Sequence, residues 1–232
     1  MMSINRQPYI DNIMNRFKAN VAVAKGSLEN EIYISTNKEN LEDICTYIHK
    51  TFQAPLSSII CNDERSLNKS FTIYYVFSLP DKDLFFIVYV PISEQSPDFP
   101  SITSYIPAAH WYEREIKDMF GLEPVGHPDP YTLVLHGNMP EDTYPLRKDF
   151  ATNTRLPHLE SKLPFARVDG EGVFEIPVGP IHAGIIEPGH FRFSAVGDTI
   201  LYLDAKLFFT HKGTEKLFEA MPYTKALFLA ER

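Results

Sequence analysis

The stretch Phe71-Thr72-Ile73-Tyr74-Tyr75-Val76-Phe77-Ser78-Leu79-Pro80-Asp81-Lys82-Asp83-Leu84-Phe85-Phe86-Ile87-Val88-Tyr89-Val90 decides the fold. Two runs of β-branched and aromatic residues flank one short polar insert. Such residues fit a pleated, half-buried surface, and a proline-led polar insert between them marks a turn. The spacing predicts a hairpin of strands 71–78 and 84–90. The same stretch, extended to Ile92, is also the best candidate for a membrane span. Pro80-Asp81-Lys82-Asp83 interrupts it, and no apolar run reaches the roughly 20 residues that a membrane helix needs.

Upstream, residues 8–24 read as a helix, because Ile10, Ile13, Met14, Phe17 and Val21 recur at helical spacing. A second helix is expected over 38–52, with Leu41, Ile44, Tyr47, Ile48 and Phe52 on one stripe and Asn37 or Asn40 as its cap. Ile32-Tyr33-Ile34 reads as a short strand. Downstream, residues 91–107 form a proline-punctuated loop, and a helix over 108–120 stops at Gly121. Residues 122–150 hold five prolines and read as irregular, and 151–164 as a linker. Two alternating runs, 190–196 and 199–204, surround Gly197-Asp198 and predict a second hairpin. Short helices are expected in 208–217, with Thr210 as a cap, and in 223–232. The fold class is α+β. The domains are drawn at 6–150 and 165–232, joined by the linker. About 65 residues are few for an independent core, so the second domain is expected to be incomplete or completed by another polypeptide.

Composition narrows the function. The 232 residues are 44% hydrophobic and 22% charged, a globular mix. The net charge of −8 argues against a nucleic-acid binder, which needs a basic face. Cys45 and Cys61 are too few for a disulfide framework and form no Cys-x-x-Cys pair. They fit a reducing compartment. No signal peptide is read at the N-terminus, and a soluble protein is expected.

Two constellations carry the candidate chemistry. Trp111-Tyr112-Glu113-Arg114-Glu115-Ile116-Lys117-Asp118-Met119-Phe120-Gly121 sets charges among aromatics on one helix, and Tyr144-Pro145-Leu146-Arg147-Lys148-Asp149-Phe150 adds two bases beside an acid. Three readings stand open: acid/base work by Glu115 and Asp118, a charged docking face, or a solvated helix with local ion pairs. The second constellation is Gly179-Pro180-Ile181-His182-Ala183-Gly184-Ile185-Ile186-Glu187-Pro188-Gly189-His190-Phe191-Arg192-Phe193. Glu187 follows two isoleucines, and apolar surroundings disfavour the charged carboxylate, which suits a group that takes up and releases protons. The alternative is a glutamate satisfied by Arg192 or by backbone donors. His182 and His190 lack a third ligand at a metal-site spacing. In Thr210-His211-Lys212-Gly213-Thr214-Glu215-Lys216, Glu215 sits favourably near a helix start.

Glu113-Arg114-Glu115 with Asp118-Met119-Phe120-Gly121, then His127-Pro128-Asp129 and Tyr144 to Phe150, closely resembles the 30 kDa subunit of respiratory complex I. Tyr131 stands where that family usually has a basic residue. The resemblance implies an α/β sandwich with a mixed sheet over residues 6–150. It also implies a docking role for Glu113, Arg114, Glu115, Asp118, Arg147, Lys148 and Asp149, without a redox centre. Residues 179–193 and 210–216 resemble the start of a NiFe-hydrogenase large subunit of the formate hydrogenlyase type, or its complex I homologue. That resemblance implies Glu187 and His190 as a proton relay, Glu215 with His211 as a second polar site, and His182 on a loop facing a quinone cavity in the complex I homologues.

No metal ligand is expected in this chain. The first Cys-x-x-Cys of the resembled family would follow Arg232, so a NiFe centre (or quinone) belongs to the complete complex and iron–sulfur clusters to partners. The implied partners are the remainder of the large subunit, an iron–sulfur small subunit and membrane subunits, placing the protein at the cytoplasmic face of the inner membrane. The alternatives are a subunit of a complex I-like NADH/quinone oxidoreductase and a non-catalytic docking or assembly protein.

Overall fold

Alternation of large side chains builds the central sheet. The structure is a computed structural model that describes residues 5–157, 159, 160, 165–219 and 221–231. It divides into two compact units, Met1–Tyr131 and Thr132–Arg232. The first contains α1 (Gln7–Phe17), β1 (Val21–Lys25), β2 (Glu31–Thr36), α2 (Leu41–Thr51), β3 (Leu56–Asp63), α3 (Arg65–Asn68), β4 (Ser70–Leu79), β5 (Leu84–Ser93), β6 (Asp98–Pro100), α4 (His110–Phe120) and β7 (Glu123–Val125).

β4 and β5 are the expected hairpin, in register Tyr75 to Val88 and Phe77 to Phe86. Phe71, Ile73, Tyr75 and Phe77 are fully buried, while Tyr74 and Val76 on the other face are half-buried or covered. Each such fully buried side chain stabilises by about 1.5–3 kcal/mol. Asp83 closes the turn in the left-handed region, φ 44°, which aspartate tolerates better than most residues. The sheet order is β1-β2-β5-β4-β3. Only the β2–β5 pairing is parallel, so the sheet is mixed. α2 packs on β4 and β5, and α4 packs on β3. Ile13 of α1 and Leu41, Ile44 and Ile48 of α2 fill the core. Asn37 caps the turn before α2, its side chain accepting from Asn40 N–H at 3.2 Å.

One expectation is overturned at the N-terminus. The helix read over 8–24 ends at Phe17, Lys18 turns left-handed (φ 49°), and Val21 opens β1. Val21 pairs with Thr36 and Val23 with Ile34, so sheet pairing of β-branched residues wins over a helical spacing that Val21 met by coincidence. β3 carries no clean period: Ile59 is buried, Ile60 points out at 52% exposure, and serine and asparagine interrupt the apolar residues.

The second unit holds β8 (Phe174–Val178), β9 (His190–Val196), β10 (Thr199–Lys206), α5 (Thr214–Phe218) and α6 (Tyr223–Ala230). β9 and β10 form the expected hairpin around Gly197, whose φ of 56° favours a residue without a Cβ. β8 adds to the far side of β9, giving the order β10-β9-β8. Thr210 does not cap the helix, because α5 begins at Thr214 after a left-handed Gly213 (φ 65°). The linker read over 151–164 lies partly outside the described residues, and Leu159 N–H donates to Asn138 O at 3.1 Å. Among the described residues no helix is long and apolar enough to cross a membrane.

Candidate functional site

Glu113 lies one turn into α4 and is fully buried. A carboxylate in a dry interior is tolerated only when donors surround it. Ile102 N–H donates to Oε1 at 2.7 Å, and Thr103 Oγ1 to Oε2 at 2.6 Å. Ser101 Oγ is a third donor. Burial still pushes the Glu113 carboxyl above its ordinary range, against the pull of those donors.

The loop after β7 is fastened to the same helix. His127 Nδ1 accepts from Asp129 N–H at 3.0 Å, so Nε2 carries the hydrogen and faces His110 O at 3.2 Å. The two imidazoles meet edge to face with centroids 4.9 Å apart. Arg114 Nε donates to Tyr131 O at 2.8 Å, and its Nη1 lies 3.4 Å from Asp129 Oδ2. Burial lowers the pKa of both histidines, and the neighbouring His127 and Arg114 lower that of His110 further.

This arrangement corrects the expected charged docking face. Glu113, Arg114 and Asp118 are buried, and Glu115 is half-buried. In place of a solvated stripe, Glu113 and Arg114 hold two loops against α4. The acid/base reading of Glu115 with Asp118 gains no support, since Asp118 is enclosed. Ser101 and Thr103 escaped the sequence reading, because a hydroxyl pair in a proline-rich loop carries no period.

A pH dependence follows. The folded histidines have pKa values below the ordinary value of about 6.5, so the unfolded chain takes up protons first as pH falls. Their contribution is present above about 6.5 and is lost as pH falls toward their folded values. Glu113 has the opposite sign: its contribution is complete below the ordinary carboxylate value and is lost as pH rises through its folded value. The thermal midpoint of a His110→Gln, His127→Asn double variant is therefore expected to fall less than wild type between about pH 7.5 and 5.5, the window set by an ordinary histidine. Equal slopes in a calorimetric series would assign the acid loss elsewhere.

In the second unit, the structure joins His211 to Glu215: Nε2 and Oε2 are 3.5 Å apart, the histidine standing before the left-handed Gly213 and the glutamate in α5. Lys216, nearly buried, donates to Arg147 O at 2.8 Å and pairs with Glu219 at 2.8 Å. Arg147 is half-buried, and Lys148 and Asp149 are exposed. Glu187 is not joined to His190: among the described residues no hydrogen bond or ion pair links them. Glu187 is exposed, and so are Ile185 at 106% and Ile186 at 66%. The apolar surroundings expected for Glu187 are therefore absent within this chain, because its isoleucine neighbours point into solvent. Nor does Arg192 satisfy it. Arg192 Nη1 lies 3.6 Å from Glu175 Oε2, and its guanidinium covers the Phe165 ring at 4.1 Å. His190 packs beside the same ring. Its pKa is lowered, first by burial and then by Arg192. His182 Nδ1 accepts from Gly184 N–H at 3.1 Å.

The family model described as "Respiratory-chain NADH dehydrogenase, 30 Kd subunit" matches residues 34–156, more than half of the chain and across the Glu113 network. The chain belongs to that family. Two relatives resemble this 30 kDa-family member over most of its length. Hydrogenase-4 component G of Escherichia coli (strain K12) is 40% identical over 208 residues, covering 87% of this chain and 37% of the relative. Formate hydrogenlyase subunit 5 of the same organism is 34% identical over 232 residues, covering 97% of this chain and 41% of the relative. The C/D subunit of NADH-quinone oxidoreductase from Bacteroides thetaiotaomicron (strain ATCC 29148) is 30% identical over 157 residues, covering 60% and 29%. The chain thus spans about two fifths of the hydrogenase relatives it matches.

The donor set of this 30 kDa-family member does not fit a nickel–iron centre. Such a centre needs soft thiolates. Cys45 is sealed in the α2 core and Cys61 lies on β3, and burial pushes both thiols well above their ordinary pKa. Among the described residues no three His, Cys, Asp or Glu side chains converge on one metal position.

Proposed function

We propose that this chain is the N-terminal part of the large subunit of an energy-converting, membrane-associated NiFe hydrogenase of the formate hydrogenlyase type. In this reading residues 6–150 are the 30 kDa-like domain and residues 165–232 open the large-subunit domain. The chain supplies docking surface and proton-relay groups but no metal ligand. One observation carries the reading: likeness to formate hydrogenlyase subunit 5 runs over 97% of the chain, including its second unit. The NADH-quinone oxidoreductase relative covers only 60% of the chain, which favours the hydrogenase reading over a quinone reductase.

The exposed apolar loop supports the relay. Once Ile185 and Ile186 are covered by the rest of the assembly, water leaves the Glu187 carboxylate. Its Oε can then take and return a proton. His190 follows on the same segment, His182 precedes it, and His211 with Glu215 forms the second polar site. Docking falls to exposed groups such as Lys148 and Asp149. The partners are the remaining large-subunit polypeptide, an iron–sulfur small subunit and membrane subunits, at the cytoplasmic face of the inner membrane.

Affinity purification of the tagged protein from cells that produce it tests this reading. Recovery of iron–sulfur and membrane subunits, with hydrogen-dependent viologen reduction in the preparation, is expected. Recovery of the protein alone, or of a complex that reduces quinone without reacting with hydrogen, removes the hydrogenase assignment.

A further inference from the structure

The two edges of the second sheet are built differently. β8 carries Pro177 and Glu175. A proline has no N–H to donate, so Pro177 cannot give a further strand a hydrogen bond at its position. β10 opens with Thr199-Ile200-Leu201-Tyr202-Leu203, without proline or charge. Ile200, Leu201, Tyr202 and Leu203 are exposed by 58%, 48%, 43% and 45%. Four consecutive apolar residues put apolar side chains on both faces of the strand. Strands that read this way are ordinarily covered on both faces, inside a sheet. Soluble edges are blunted by proline, charge or a bulge. The charges of β10 come late and engage each other, Lys206 Nζ to Asp204 Oδ1 at 3.2 Å. Its remaining protection is the bulge between Ile200 and Tyr202. Among the described residues β10 pairs only with β9.

We infer that the open edge of β10 is the seat of one more β-strand, supplied by the polypeptide that forms the other three fifths of the hydrogenase relatives. The chain matches 37% and 41% of their lengths, which leaves the larger share to that polypeptide. The inference rests on the hydrogenase reading and adds to it which edge is used and how. The incoming segment is extended and apolar on both faces. Main-chain hydrogen bonds to β10 hold it, and side chains such as Leu201 and Leu203 are covered at the same step.

Amide hydrogen exchange, followed by mass spectrometry in the isolated 232-residue chain and in the purified complex, tests the inference. Peptides spanning Thr199–Lys206 are expected to exchange about tenfold or more slowly in the complex, with Phe174–Val178 of β8 changing much less. Equal slowing of both strands would mean that a layer covers the faces without an added strand, which overturns the inference. Unchanged β10 exchange in a complex that reacts with hydrogen overturns it and leaves the hydrogenase reading intact. Protected β10 in a complex without hydrogen activity does the reverse. Protection in the isolated chain that rises with its concentration, with a dimer mass by light scattering, assigns the edge to a second copy and overturns the inference as well.

Discussion

Glu113→Ala is expected to destabilise the first unit by about 3–5 kcal/mol, a large share of the roughly 5–15 kcal/mol that holds a domain together. Alanine leaves Ile102 N–H and the Ser101 and Thr103 hydroxyls facing an apolar void. Each unsatisfied buried group costs about 1–3 kcal/mol, and hydroxyl rotation recovers part of it. Glu113→Gln keeps the volume and the acceptor for Ile102 N–H, while the two hydroxyls can turn to accept from its amide. It also removes a carboxylate whose ionisation burial disfavours. A loss of only about 1 kcal/mol is expected. Urea titrations of the full chain, followed by the fluorescence of Trp111 on α4, separate the two. An alanine variant within about 1 kcal/mol of wild type would show that the buried network adds no stability.

The second large effect concerns the assembled enzyme. Glu187→Gln is expected to reduce hydrogen turnover about 10²- to 10⁴-fold, the usual share of a positioned proton-transfer group. Glutamine keeps the shape of the side chain and cannot exchange a proton. Because Glu187 is exposed in the chain by itself, the substitution is expected to leave folding and the recovery of partners unchanged. Glu187→Asp retains a carboxyl and should restore part of the rate. Wild-type turnover in the glutamine variant, measured in complexes matched for all their subunits, would remove the relay role.

Period and turn chemistry made most of the first unit legible. The β4–β5 hairpin and α2 bury apolar residues at the spacing that the sequence displays, and Gly121 ends α4 in the left-handed conformation expected of a stop (φ 70°). What escaped was tertiary in origin. β3 needs β4 beside it to become a strand, and β1 needs β2. The charged helix misled for the same reason. Glu113 and Arg114 read as surface groups until the loops at 101–103 and 127–131 supply donors and acceptors from outside the helix. In the second unit, the Gly197 turn was plain. The environment of Glu187 was not, because an apolar neighbour in sequence is no guarantee of an apolar neighbour in space.

Lys216 has a consequence for a cut polypeptide. Its ammonium binds the Arg147 carbonyl across 69 positions, and the Phe209 ring stacks on His136 at 4.0 Å, also across that segment. A protease that nicks the segment after Asp149 would thus yield two peptides on a denaturing gel and a single particle on a native one.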